Sequence, residues 1–256
     1  AAETMLKRFE REAQATAKLT SPNSVVIYDF GITDDNTFYY VMELLDGLDL
    51  ESLVERFGPV TPARTIHFLV QACDSLADAH HQGLIHRDIK PANIYACQLG
   101  RTYDFAKLLD FGLVKTHADQ EPATAQLTQA GMVTGTPAFL PPEQALGEAV
   151  DARSDLYALG CVGYWLLTAG FVFDTQNAAA MMIDHVKTAP ESPAVRAEQE
   201  IPADLEKVIM QCLEKKADDR PSSAEELANS LRACKDYGAW NRDEAKAWWM
   251  LHMGAK

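Results

Sequence analysis

The chain has 256 residues, is 47% hydrophobic and carries a formal net charge of −14. That size supports a substantial core, in one large domain or two closely packed lobes. The acidic balance argues against holding nucleic acid or an anionic membrane by bulk charge.

Residues 3–19, ETMLKRFEREAQATAKL, turn Met5, Leu6, Phe9, Ala13 and Ala17 toward one face and read as a helix. SPN breaks it at Ser21. VVIYDFGI and TFYYVMEL follow as two strands around the turn TDDN, which makes them a hairpin. LDGLDL, residues 45–50, reads as a short polar connector.

The chain then turns helical. Thr61 is placed to cap a helix with Pro62 at its first position. Ile66, Leu69, Val70, Cys73, Leu76, Ala77 and His80 recur at helical spacing until Gly83 ends the run. A short hairpin turning near Gly100 leads to AKLLDFG, and the polar stretch from Lys115 to Thr134 reads as a long loop. SDLYALGCVGYWLL, residues 154–167, is apolar all round, so it predicts a central helix, and it is too short to span a bilayer. IPADLEKVIMQCL and SSAEELANSL are amphipathic, with Ser222 and Glu225 in capping-box spacing. NRDEAKAWWMLH makes a last helix carrying Trp248 and Trp249. Cys73, Cys97, Cys161, Cys212 and Cys234 form no CxxC pair, which predicts buried reduced thiols in a cytoplasmic protein.

IHRDIKPANIY, residues 85–95, packs charged and amide groups between apolar shoulders, which predicts a polar loop pinned to a core. HRDIKPAN, then DFG at Asp110, then PPE at Pro141 resemble the catalytic loop, metal loop and activation-segment end of protein kinases. The likeness runs from about Glu3 to Cys234 and is strongest to bacterial, eukaryotic-like serine/threonine kinases. It implies an α+β fold of two lobes: a small N-lobe remnant over 1–42, a hinge at 43–47, a mainly helical C-lobe over 48–235 and a helical extension over 236–256.

The resemblance also implies roles, each with a physical basis. Asp88 orients a substrate hydroxyl and accepts its proton. Lys90 neutralises charge on the moving phosphoryl group. Asn93 and Asp110 offer the hard oxygen donors that Mg²⁺ prefers. ATP would lie against the hinge, with Met42 as gatekeeper, the Glu43 carbonyl and Leu45 N–H on the purine edge, and Tyr95 beneath the ring, where the family usually has an aliphatic residue. Glu12, with Glu10 as the competing choice, resembles the helix glutamate that pairs the phosphate-binding lysine. His86 and Phe111 read as packing residues, Asp155 as a structural carboxylate bonded to the catalytic loop, and Glu143 with Arg220 as a buried ion pair. Arg87 would pair a phosphothreonine; of Thr116, Thr124, Thr128 and Thr134, Thr128 is chosen, and Thr136 resembles the threonine that favours Ser/Thr substrates.

No glycine-rich loop and no VAIK-like strand lysine occur in the sequence. Two explanations stand beside each other, a piece of a longer kinase and a non-catalytic pseudokinase or scaffold; the first is favoured, and these residues alone are expected to turn over little. A small-molecule kinase of the aminoglycoside type is the third reading, opposed by Lys90 and by the GTPAFLPPEQ segment. The expected partners are ATP and a protein bearing Ser or Thr, with no nucleic acid and no membrane segment in these residues.

Overall fold

The computed structural model describes residue 14 and residues 16–33, 37–111, 137–175 and 177–254. Most of the predicted helix of residues 3–19, Glu10 and Glu12 included, falls outside them. So do the loop threonines Thr116, Thr124, Thr128 and Thr134, and Thr136.

The expected hairpin forms from β1 (Ile27–Ile32) and β2 (Phe38–Met42), antiparallel, with a register shift between Ile27 and Asp29. Residues 40–44 are not a buried strand: Val41, Met42 and Leu44 are exposed, the last by 98%. Val41 and Met42 point to opposite faces, so this two-stranded ribbon buries neither face fully.

The polar connector is also more ordered than the sequence suggests. Its second half becomes β3 (Gly47–Asp49), and Asp49 then caps α1 (Leu50–Phe57) by accepting the Ser52 N–H at 2.8 Å. β3 pairs antiparallel with β4 (Ile94–Leu99), and β4 with β5 (Thr102–Leu108), giving a sheet of order β3-β4-β5. Gly47 is required at this junction, because a Cβ there would stand 2.0 Å from the Ala96 carbonyl oxygen.

α2 (Pro62–His81) starts at Pro62 as expected, although Thr61 makes no side-chain cap bond. After the short α3 (Pro142–Leu146) comes α4 (Ala152–Thr168), the central helix, with thirteen buried residues including Asp155. It meets α7 (Ala203–Cys212) closely because two glycines face it: a Cβ on Gly160 or Gly163 would lie 2.5 Å from Cys212 or Ile209. α5 (Ala178–Lys187) packs against α3, and α6 (Pro193–Arg196) against α4. α8 (Ala224–Arg232) is capped by Ser223, not Ser222: the Ser223 hydroxyl accepts the Glu226 N–H, while the Glu226 carboxylate returns to Ser222. The capping pair thus sits one residue later than the spacing of Ser222 and Glu225 implied. α9 (Arg242–His252) closes the chain. All five cysteines are buried and free. No helix among the described residues is long and apolar enough to cross a membrane.

The hairpin is tied to the larger part through residues 23–26. The Val25 N–H donates to the Leu108 carbonyl and the Leu108 N–H to the Asn23 carbonyl, so this segment runs parallel along the edge of β5.

Candidate active site

The polar loop between α2 and β4 is pinned to the core as expected. Its anchor is Asp155 on α4. The His86 N–H donates to Asp155 Oδ2 and the Arg87 N–H to Oδ1, each at 2.8 Å, and His80 Nε2 also lies 2.8 Å from Oδ2. A carboxylate 1% exposed is tolerated only when so fully bonded. The loop then takes a left-handed step at Arg87, φ 64°, which turns Asp88 outward.

His86 is fully buried, its Nε2 2.7 Å from the Leu109 carbonyl, with its ring 4.7 Å from that of Phe111. Burial pushes the imidazole pKa down against the pull of Asp155 and the neighbouring acids, so the ring packs as a neutral group.

Asp88, Lys90 and Asn93 share one network. Lys90 Nζ lies 3.1 Å from Asp88 Oδ2. The Asn93 amide donates to the Asp88 carbonyl at 2.8 Å and to Asp88 Oδ2 at 3.1 Å. Both donations use the NH₂ of Asn93, which leaves its oxygen for another partner. The Leu109 N–H donates to the Asn93 carbonyl at 2.9 Å, so the residue before Asp110 is fastened to the residue that would share a metal with it. Asp110, φ 53°, stands in the left-handed region, and Tyr40 from β2 donates its hydroxyl to Asp110 Oδ1 at 2.6 Å. Burial, and then this bond, raise the Tyr40 phenol well above its ordinary pKa, so it stays a donor.

The donor set suits Mg²⁺. Among the described residues no three His, Cys, Asp or Glu side chains gather into a metal cage. One carboxylate and one amide oxygen are what Mg²⁺ takes from a protein when substrate phosphates and water complete its shell.

At the proposed hinge, the Glu43 N–H donates to the Val26 carbonyl at 3.0 Å. The Glu43 side chain is recruited inward: Oε1 accepts from the Val26 N–H at 2.8 Å and from Lys107 Nζ at 2.7 Å. Tyr95 is half-buried on β4 and donates its hydroxyl to the Gly47 carbonyl at 3.0 Å, at the far end of the hinge. Met42 is exposed and Leu45 half-buried.

Below the site, both guanidinium arms of Arg220 meet Glu143 at 2.8 Å. Burial would raise the Glu143 carboxyl, but the bonds from Arg220 and Ser154 outweigh it and hold the pKa below the usual range.

Sequence reasoning missed three residues. Lys107 was readable as a lysine inside an apolar strand, where a buried charge demands a partner. Tyr40 carried no signal beyond facing away from Tyr39 and Val41. Asp104 is a buried carboxylate that accepts two bonds from Arg64, at 2.8 and 2.9 Å, and one each from Trp240 and Trp249, at 2.8 and 2.6 Å.

The protein kinase domain model matches residues 1–231. The serine/threonine-protein kinase pkn3 of Myxococcus xanthus is 38% identical over 232 residues, 90% of this chain and 42% of that protein. The serine/threonine-protein kinase PknB of Mycobacterium tuberculosis is 39% identical over 227 residues, 88% of this chain and 35% of its own length. The chain thus spans well under half of these relatives. The crystal structure of a Mycobacterium tuberculosis PknI kinase domain double mutant superposes with a TM-score of 0.67 at 24% identity, covering 90% of this chain and 78% of that one.

Proposed function

The chain belongs to the protein kinase domain family, and from that premise we propose that it transfers the γ-phosphoryl group of ATP to serine and threonine hydroxyls of a protein. The observation that carries this reading is the single network of Asp88, Lys90 and Asn93, fastened to the Asp110 loop through Leu109 and Asn93.

Each residue then has one task. Asp88 accepts a hydrogen bond from the substrate hydroxyl, aims it along the line of attack and takes its proton as the new P–O bond forms and the bond to ADP breaks. Lys90, beside Asp88, supplies positive charge where the transferred group gathers negative charge. Asn93 and Asp110 would hold Mg²⁺, which neutralises phosphate charge when bound. Asp155 holds the catalytic loop rigid, so that Asp88 is oriented before substrate arrives. Glu43 and Leu45 would present backbone groups to the purine, with Met42 behind it and Tyr95 below. Glu12, outside the described residues, would pair the phosphate-binding lysine.

On this reading the small lobe would span 1–42, the hinge 43–47, the large lobe 48–235 and a helical extension 236–256. Phosphorylation of Thr128 would order the activation segment through Arg87, since a phosphate adds about two charges that an arginine can grip bidentately. The five buried free thiols support a reducing cytoplasmic setting. Without a glycine-rich loop and strand lysine, these 256 residues alone are proposed to turn over slowly.

The test is phosphotransfer from labelled ATP to a serine- and threonine-containing protein. Asp88→Asn is expected to lower kcat by about 100-fold or more. Unchanged turnover in that variant would overturn the assignment, and nucleotide affinity with no turnover in any form would support the pseudokinase reading.

A further inference from the structure

The geometry points to Tyr40 as the positioning residue for the Asp110 carboxylate, and so as the link that makes metal affinity depend on the seating of the β1–β2 hairpin. This rests on the phosphotransfer reading above, in which Asp110 is a Mg²⁺ ligand.

Tyr40 reaches Asp110 across 70 residues of sequence, from a different sheet. In β2 it pairs with Phe30 and faces away from Tyr39 and Val41, so strand alternation alone directs its ring to the side where Asp110 lies. At 2.6 Å, its O–H···O⁻ bond to Oδ1 has the length of a charge-assisted contact.

The need for such a contact comes from the backbone. Asp110 adopts φ 53°, which an L residue keeps only when its surroundings impose it. Two restraints act on its neighbours: the Leu109 N–H is bonded to Asn93, and Phe111 is 3% exposed with its ring against His86. Neither fixes the torsions of the Asp110 side chain. Tyr40 does, by holding one carboxylate oxygen. An ionised carboxylate has about four lone-pair sites, so one phenol leaves capacity for a metal.

Hydrogen-bonded partners of ligating carboxylates commonly control metal affinity by about 10- to 100-fold. The phenol belongs to the hairpin, whereas Asp110 follows the last strand of the three-stranded sheet. Displacing the hairpin therefore breaks the bond and releases the carboxylate to other rotamers.

The experiment measures Mn²⁺ binding by electron paramagnetic resonance, with the ATP analogue AMP-PNP present, in the full-length protein. The forms compared are wild type, Tyr40→Phe, Tyr39→Phe and Asp110→Asn, each checked by its thermal midpoint. Phenylalanine keeps the ring, so packing is preserved. Tyr40→Phe is expected to bind Mn²⁺ about 10-fold more weakly, and to need correspondingly more Mg²⁺ for phosphotransfer while recovering most of kcat at saturation. Tyr39→Phe is expected to match wild type. Tyr40→Phe binding within twofold of wild type, or more tightly, while Asp110→Asn loses the metal would overturn the positioning role. Wild-type affinity in Asp110→Asn would instead overturn the metal assignment beneath it.

Discussion

Lys107 places its ammonium 2.7 Å from Glu43 Oε1, joining β5 to the segment after β2. The lysine is buried, and it also donates to the Ser24 carbonyl at 3.2 Å. Glu43 accepts the Val26 N–H with the same oxygen. One ion pair therefore fixes both the hinge and the segment that runs beside β5. Removing the cation leaves a carboxylate poorly matched in a largely closed site, at a cost of about 3 kcal/mol. Lys107→Met is expected to lower stability to urea by that amount and to raise the KM for ATP more than it lowers kcat. Lys107→Arg should restore most of both.

The Asp155 contacts make a separate prediction. Asp155→Asn keeps one acceptor oxygen but turns an NH₂ toward a backbone N–H, so at least one of the His86 and Arg87 bonds is lost. A buried bond to a charge is worth about 1.5–3 kcal/mol. Unfolding by denaturant should show a loss of that order. Phosphotransfer should fall through kcat, with the KM for ATP nearly unchanged, because the loop that carries Asp88 is freed while the hinge is not.

The end of the chain is integral to the larger lobe. Arg64 pairs with Asp104 and lies beneath the Trp248 ring, 3.7 Å from its centroid. Trp240 and Trp249 donate their indole N–H groups to the same carboxylate. Cutting after residue 235, just beyond the kinase-domain match, would expose this pair and strip two donors from a buried acid. The truncated protein is expected to melt at least several degrees lower, or to aggregate. Trp249→Phe keeps most of the apolar area and should cost about 2 kcal/mol, read by thermal or urea unfolding.

Acid should weaken the fold through His185. Burial, then the nearby Lys215, push its pKa down to about 3 from 6.5. The folded chain holds the ring neutral while the unfolded chain protonates it. Its contribution is therefore intact above about pH 6.5 and is lost as pH falls toward 3. By linkage the loss reaches about 2 kcal/mol at pH 5. Urea midpoints at pH 7 and pH 5 check this, and His185→Gln should flatten the difference.

Most of the larger lobe was legible in the sequence because its helices declare themselves by period. The run from Ile66 to His80 and the all-apolar stretch after Asp155 admit few other readings. The loop of the candidate site was legible because polar side chains between Ile85 and Tyr95 have no reason to cluster there unless they act together. The short elements were not. β3 begins within LDGLDL, where a three-residue strand is held by its partner and leaves no periodic trace; α1 does carry one, Leu50, Leu53, Val54 and Phe57 at helical spacing, but it starts on an aspartate cap inside a stretch that reads as a connector. The cap at Ser223 was misplaced by one because Ser222 and Ser223 both suit the role, each with a glutamate three residues on. The contacts of Tyr40, Lys107 and Asp104 join residues tens of positions apart, and no local pattern records such pairs.

Gly47 carries a last consequence. Its backbone lies so close to Ala96 that the chain is clamped from there onward, and the Asp46 carbonyl is already held by the Gln98 N–H at 2.8 Å. On the other side, Glu43 is fastened by Lys107 and Val26. Between the two clamps lie Leu44 and Leu45. Both clamps belong to the three-stranded sheet, and Val25 is bonded to β5 on the approach to the other strand, so a swing of the ribbon over the helical body must be taken up beyond Glu43 and Val26, where its two strands begin. Movement there should resemble a flap on two adjacent pins, with little freedom to slide.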